Sequence, residues 1–399
     1  MSEANISQLS SLVDESAVDL VTQMMSIPGK SGDERAVANF IVEQLKSYGI
    51  QDSQISYDSA NTKSHIGGEI GNLIVDLPGQ SDQPRRLLMA HIDTVPLCVG
   101  CEPVRDGNII TSSDPKTALG GDDRAGATVV LNTIRLIQEH NLPHPPLTLL
   151  FAVQEEIGLV GAKNVDTEKL KEPAQCYNWD GGLANLAVIG ATGDDHIEID
   201  ITGIASHAGA APEQGVSAAA IAAMAINSLV NDGWHGLIQK GKQSGTSNIG
   251  VIQGGDATNV VMDQLHIKAE ARSHNPTFRA KIVGAIDKAF QRATKELQNS
   301  SGKTGSVSVS TRHKYESFRL DVNEPVVQTA IKTMEALGLE PTTRISNGGL
   351  DANWMNAHGL PTVTMGCGQH GIHTVKEELH IDQFLNACRI GLLIGTGTI

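Results

Sequence analysis

At 399 residues the chain exceeds what one hydrophobic core usually supports, so two domains are expected, and its 40% hydrophobic content is that of a soluble globular protein. A formal net charge of -15 argues against nucleic acid or an anionic membrane as partner, since either needs a basic face. The opening Met1-Ser2-Glu3-Ala4-Asn5 lacks a basic stretch followed by an apolar run, and no segment reaches the roughly 18 apolar residues of a membrane span. The cysteines (Cys98, Cys101, Cys176, Cys367, Cys388) are odd in number and scattered, which is no disulfide framework, so residence in the cytoplasm is expected.

In chain order, Asp33-Glu34 opens an amphipathic helix to about Tyr48, with Val37, Phe40, Ile41 and Leu45 on one face. Apolar runs at 72–77, 86–90 and 147–153 predict buried strands, and 125–139 a helix between them. Their continuous hydrophobicity points to a mostly parallel sheet covered on both faces, the mark of an α/β domain. From His196 the pattern changes: Ile197, Ile199 and Ile201 alternate with polar residues, as in a strand with one exposed face. An alanine-rich helix follows at 216–230, then strands near 248–253 and 264–273, a long helix at 277–297 and a strand at 306–312. That order, β-α-β-β-α-β, is ferredoxin-like. After Phe318 the α/β character returns, with a helix at 324–337, a strand at 361–365 and a terminal helix near 382–393. One domain, 194–313, is therefore expected inside another made of 1–193 and 314–399.

Five stretches carry chemistry: His91-Ile92-Asp93, Gly121-Asp122-Asp123, Gln154-Glu155-Glu156-Ile157-Gly158, Trp179-Asp180-Gly181-Gly182 and Gly371-Ile372-His373-Thr374. Each sits beside a glycine or at the end of an apolar run. His91 and Asp93, two apart in an extended segment, point to one side, so Asp93 is expected to hold the imidazole's second nitrogen. Asp123 is expected to cap the helix, leaving Asp122 facing the carboxyl end of the sheet. Glu155 and Glu156 repel each other at the end of a buried strand, which favours a nearby cation. Ligands in open α/β sheets gather beyond the strands' carboxyl ends, and this inventory of imidazoles and carboxylates without thiolate suits zinc, with cobalt or manganese as substitutes.

Other motifs fail. Gly366 to Gly371 spells a dinucleotide-type glycine pattern, but no helix opens after it and the chain ends too soon. Cys98 and Cys101 have no second pair at zinc-ribbon spacing, and neither H-E-x-x-H nor G-x-S-x-G occurs.

With these five stretches the chain resembles the co-catalytic zinc peptidase superfamily over essentially its whole length. That group includes peptidase T, carboxypeptidase G, succinyl-diaminopimelate desuccinylase and the aminoacylases. The stretches Ser206-His207-Ala208-Gly209-Ala210-Ala211-Pro212, Gly254-Gly255-Asp256-Ala257-Thr258-Asn259-Val260 and Glu270-Ala271-Arg272-Ser273 are similar to the peptidase T-like branch. The strict peptidase T pattern has proline after the histidine where this chain has Ala208, so the likeness is to the branch and not to the tripeptidases alone.

The resemblance implies a zinc-exopeptidase catalytic domain with an inserted ferredoxin-like lid, and two divalent ions per chain. It implies His91 and Asp180 on one ion, Glu156 and His373 on the other, Asp122 bridging them and Asp93 supporting His91. Glu155 is implied as the general base that takes a proton from the attacking water and hands it to the leaving amine. His207 is implied as an oxyanion donor, and Arg272 and Asn259 as ligands of the peptide's terminal carboxylate. The expected function is aminopeptidase action on short peptides. N-acyl amino acid deacylation or carboxypeptidase action by the same chemistry is the alternative, and a non-catalytic metal-binding protein a more distant one. The lid's edge strands could pair in a homodimer.

Overall fold

The computed structural model describes residues 3–399; Met1 and Ser2, where the segment read for a leader begins, lie outside them. The chain forms two compact units, one of Met1–Gly190 with Arg319–Ile399 and one of Ala191–Phe318. In chain order the strands are β1 (Ile55–Tyr57), β2 (Leu73–Leu77), β3 (Arg86–His91), β4 (Pro103–Asp106), β5 (Ile109–Ser112), β6 (Leu147–Ala152), β7 (Gln175–Trp179) and β8 (Leu186–Ala191). The inserted unit holds β9 (Gly193–Thr202), β10 (Gly236–Lys240), β11 (Gln243–Gly254), β12 (Gln264–Ser273) and β13 (Ser306–Tyr315). The last strands are β14 (Phe318–Arg319), β15 (Thr342–Ser346), β16 (Thr362–Met365), β17 (Gln369–His370) and β18 (Glu378–His380).

In the first unit a nine-stranded sheet runs β1-β2-β6-β3-β7-β16-β8-β14, with β15 on β8. Its centre, β6-β3-β7-β16, is parallel, with His91 opposite Ala152 and Met365 opposite Trp179. The continuous apolar runs have a simple cause. Alternate residues of each run enter different cores, Leu88 and Ala90 with Phe151 on one face, Leu87 and Met89 with Leu150 on the other. Helices Glu15–Met25, Gly121–Glu139 and Ile381–Gly395 line the first face, and Val160–Lys163 and Asp351–Ala357 the second. Strand β7 is not evident in the sequence because Gln175 and Asn178 interrupt its apolar run; Asn178 Nδ2 donates to Thr364 Oγ1 on β16 at 3.2 Å. A separate four-stranded sheet, β17-β18-β5-β4, carries the loop that contains His373.

One expectation needs correction in this unit. The helix expected to open at Asp33-Glu34 spans Arg35–Ser47, and Glu34 caps it without a side-chain hydrogen bond. Instead Glu34 is fully buried, and its Oε1 accepts the N–H groups of Gly32 (2.8 Å) and Gln154 (3.2 Å). The helix expected from residue 125 runs to Glu139 as expected; ahead of it, within the span Gly121–Glu139, Asp122 and Asp123 have non-helical backbone and the peptide between them is cis.

The inserted unit is an antiparallel sheet in the order β10-β11-β12-β9-β13. Helices Ala218–Asn231 and Pro276–Glu296 pack on the face that buries Ile197, Ile199, Ile201 and Ile267. Without β10 the strand order is that of a ferredoxin-like unit; β10 extends it through a hairpin whose turn includes Gly241 at φ 62°.

Candidate metal centre

The carboxyl ends of β3, β6, β7 and β16 lie along one edge of the sheet, and the five stretches leave from that edge or reach it. His91 is the last residue of β3. Asp180 follows β7, its N–H donating to the Met365 carbonyl at 3.0 Å. Glu155 and Glu156 follow β6 through a turn in which Gln154 has φ 55°. Gly120, at φ 78°, reverses the chain ahead of Asp122, a conformation that glycine adopts without steric cost.

Two groups of ligand-type side chains form there, His91 with Asp122 and Asp180, and Asp122 with Glu156 and His373; within each group the atoms lie within 4.8 Å of one another. Asp122 belongs to both. Its Oδ1 is 3.2 Å from His91 Nε2 and its Oδ2 is 3.0 Å from His373 Nε2, one oxygen for each imidazole. His373 Nε2 also lies 2.9 Å from Glu156 Oε2.

The charges are badly matched without cations. Burial, then the nearby Asp122, pushes the Asp180 carboxyl up to about 8. Burial and Asp180 hold Glu155 well above the usual carboxylate range although His91 opposes them, and burial raises Glu156. Hydrogen bonds to Asp122 and Glu156 lift His373 to about 10. Burial disfavours a charge on His91, yet Asp122 and Asp93 raise it well above the usual imidazole value. Burial likewise opposes ionisation of Asp122, but the two imidazoles pull it below the carboxylate range. The crowded carboxylates thus favour the charged form of both imidazoles, and divalent cations would offset the same carboxylates. Two nitrogen and three carboxylate ligands arranged about one shared aspartate fit two such ions.

Asp93 does more than the sequence implies. His91 Nδ1 lies 3.1 Å from the Asp93 backbone carbonyl and 3.3 Å from Asp93 Oδ1. The carboxylate also accepts the N–H groups of Glu155 (2.9 Å) and Glu156 (3.2 Å) and the Ser31 hydroxyl (2.6 Å). Asp123 Oδ1 accepts the Gly126 N–H at 2.9 Å, the capping contact expected of it. Sequence reasoning missed Asp351, which is 1% exposed and whose carboxylate oxygens have no hydrogen-bond partner among the described residues. Its helix turns back into β16, which brings its first residue to the ligand-bearing edge. It also missed Glu377 and Gln369, which flank His373 and grip the backbone around Asp122. The only signal for Glu377 was an acidic pair with Glu378, which reads as solvated surface.

His207, Asn259 and Arg272 belong to the inserted unit. The loops of the first two meet, with the Ala208 N–H donating to the Asn259 carbonyl at 2.9 Å. His207 Nδ1 accepts the N–H groups of Gly209 (3.1 Å) and Ala210 (3.0 Å). The Arg272 fork is engaged by Glu270 at 3.0 and 2.9 Å.

A covered parallel sheet, with carboxylates and imidazoles converging on one shared aspartate beyond its strand ends, defines the class of α/β metallohydrolases. Residues 87–394 match the model of peptidase family M20/M25/M40. The structure is similar to that of a tripeptidase from Staphylococcus aureus, at 30% identity over 97% of this chain and 100% of the other, with a TM-score of 0.87. It is also similar to the aminopeptidase PepT of Bacillus cereus, at 31% identity over 96% and 98% with a TM-score of 0.84. Carboxypeptidase G2 of a Pseudomonas species is 26% identical over 90% of this chain and 84% of its own. The chain belongs to peptidase family M20/M25/M40 and is a hydrolase of peptide bonds. Among the described residues no helix is long and apolar enough to cross a membrane.

Proposed function

We propose that the protein is a cytoplasmic two-metal aminopeptidase that removes the N-terminal residue of di- and tripeptides. The observation that carries this is Asp122, which offers one carboxylate oxygen to each of two imidazoles, His91 and His373. The narrower substrate choice is supported by the likeness to the tripeptidase and the aminopeptidase over nearly the whole chain.

In this reading His91, Asp180, Asp122, Glu156 and His373 hold two divalent ions, zinc or else cobalt or manganese. When bound, such ions lower the pKa of water and polarise a carbonyl. Asp93 fixes the ring of His91 and the turn that presents Glu155. Glu155 takes the proton of the attacking water and returns it to the leaving nitrogen, one carboxylate serving both half-reactions. His207, its Nδ1 already accepting two backbone N–H groups, keeps its proton on Nε2, the form that donates to an oxyanion. Asn259 and Arg272 take the terminal carboxylate, for which Arg272 exchanges its pairing with Glu270. A homodimer through the inserted unit belongs to the same proposal; its terminal strands β10 and β13 each have one pairing partner in the sheet.

The test is metal analysis of purified protein with a panel of di- and tripeptides and N-acetyl amino acids, with and without chelator. The expected result is about two ions per chain and chelator-sensitive release of N-terminal residues. Two ions with cleavage confined to N-acyl substrates would replace the aminopeptidase by a deacylase. Failure to take up zinc, cobalt or manganese would overturn the reading.

A further inference from the structure

Glu377 lies four residues after His373 in the same loop and is 2% exposed. A buried carboxylate needs partners, and two backbone N–H groups serve this one, with the Cys98 thiol 4.0 Å from Oε2. Oε2 accepts the N–H of Gly120 at 2.8 Å and Oε1 accepts the N–H of Asp122 at 3.0 Å. On the other side of His373, Gln369 Nε2 donates to the Gly121 carbonyl at 3.0 Å and to Asp123 Oδ1 at 2.7 Å. The loop that carries His373 therefore grips all four residues from Gly120 to Asp123. The two segments are in close contact, since a Cβ on Gly121 would stand 3.4 Å from Glu377 Oε1, at van der Waals distance.

The two ligand groups depend on this grip to different degrees. His91 ends a buried central strand, and Asp180 is held against β16 by its own N–H. His373 has neither support. Its side chain is 48% exposed, it sits in a loop at φ 63°, and its ring nitrogen faces Asp122 and Glu156. We propose that Glu377 is a positioning residue that holds the His373 loop in register with the backbone of Asp122. The group Asp122–Glu156–His373 then keeps its ion only while both N–H groups are accepted. This rests on the assignment of those three residues as metal ligands.

The discriminating variant is Glu377→Gln, which keeps the size of the side chain but offers one acceptor oxygen and turns an amide N–H toward a backbone N–H. Glu377→Ala is its companion. Metal-free protein is titrated with cobalt(II), following visible absorption and the number of ions bound per chain. Wild type is expected to bind two ions. In Glu377→Gln the first should bind within a few-fold of wild type and the second about 10- to 100-fold more weakly, the usual cost of losing such a supporting contact. A purely structural role would weaken both ions alike or lower the melting temperature with the second affinity intact, and either result overturns the proposal. Wild-type binding of both ions by Glu377→Gln also overturns it. If wild type itself binds no cobalt, the ligand assignment fails before Glu377 is tested.

Discussion

The carboxylate of Asp93 accepts the backbone N–H of Glu155 at 2.9 Å, and its Oδ1 stands 3.3 Å from His91 Nδ1. One residue thus positions a metal-ligand candidate and the candidate base together. Asp93→Ala should lower metal affinity about 10- to 100-fold and should also reduce kcat at saturating metal. Metal titration alongside kinetics at high metal tests this. A kcat restored fully by excess metal would confine Asp93 to His91 and remove its influence on Glu155.

The backbone turn at Glu155 is held without its own side chain: its N–H donates to Asp93 and its carbonyl accepts the N–H of Gly158 (2.9 Å) and Leu159 (2.7 Å). Glu155→Gln therefore keeps the turn and changes only the proton-carrying group. Metal content should stay at wild type while kcat falls about 10²- to 10⁴-fold, the range for a lost general acid–base group. Near-normal turnover by fully metal-loaded Glu155→Gln would remove the base assignment.

Hydrogen bonds to Asp122 and Glu156 raise His373 from the ordinary 6.5 to about 10 in the metal-free protein. Between those values the folded protein holds a proton that the unfolded chain has released. The stabilisation is complete below about 6.5 and is lost as pH rises through about 10. A metal ligand must be the neutral ring, so metal binding expels that proton. Calorimetric titration in buffers of different ionisation enthalpy should show proton release near neutral pH. Apparent affinity should strengthen about tenfold per pH unit for each proton expelled. Affinity that is flat from about pH 6 to 8 would show that His373 is not a ligand.

Gly126 packs the helix Gly121–Glu139 directly onto β7. A Cβ there would lie 2.2 Å from the Trp179 carbonyl and 2.4 Å from Asp123 Oδ1. Both obstacles are tied in place, and Trp179 immediately precedes Asp180. Gly126→Ala should destabilise the fold by about 1–3 kcal/mol, the usual cost of overpacking, and should weaken metal retention with it. Thermal unfolding of metal-free and metal-loaded protein measures both effects; an unchanged midpoint would mean the helix can shift away from β7.

The parts of the fold legible in the sequence were those with one strong periodic signal. The continuous apolar runs of β3 and β6 and the alternation of β9 identified two different sheets, and the ligand candidates at the ends of β3 and β6 followed from them. Strand β7 was hidden because polar Asn178 is satisfied by Thr364, almost two hundred residues later. Glu34 and Glu377 were hidden for the same reason. A buried carboxylate looks like a surface one until its backbone donors, Gln154 for the first and Gly120 and Asp122 for the second, arrive from distant segments. The engagement of Arg272 by Glu270 was not anticipated either, although the two are neighbours on one face of β12.

All five ligand candidates, and Asp93 and Glu155 with them, fall outside the segment Ala191–Phe318 that interrupts the first unit. Under the proposed roles that segment carries His207, Asn259 and Arg272, so substitutions there that spare His207 would revise how a peptide is held while the metal ligands and the base stay as they are. If those roles hold, the same partition would make the insert the place to exchange loops when a new specificity is sought.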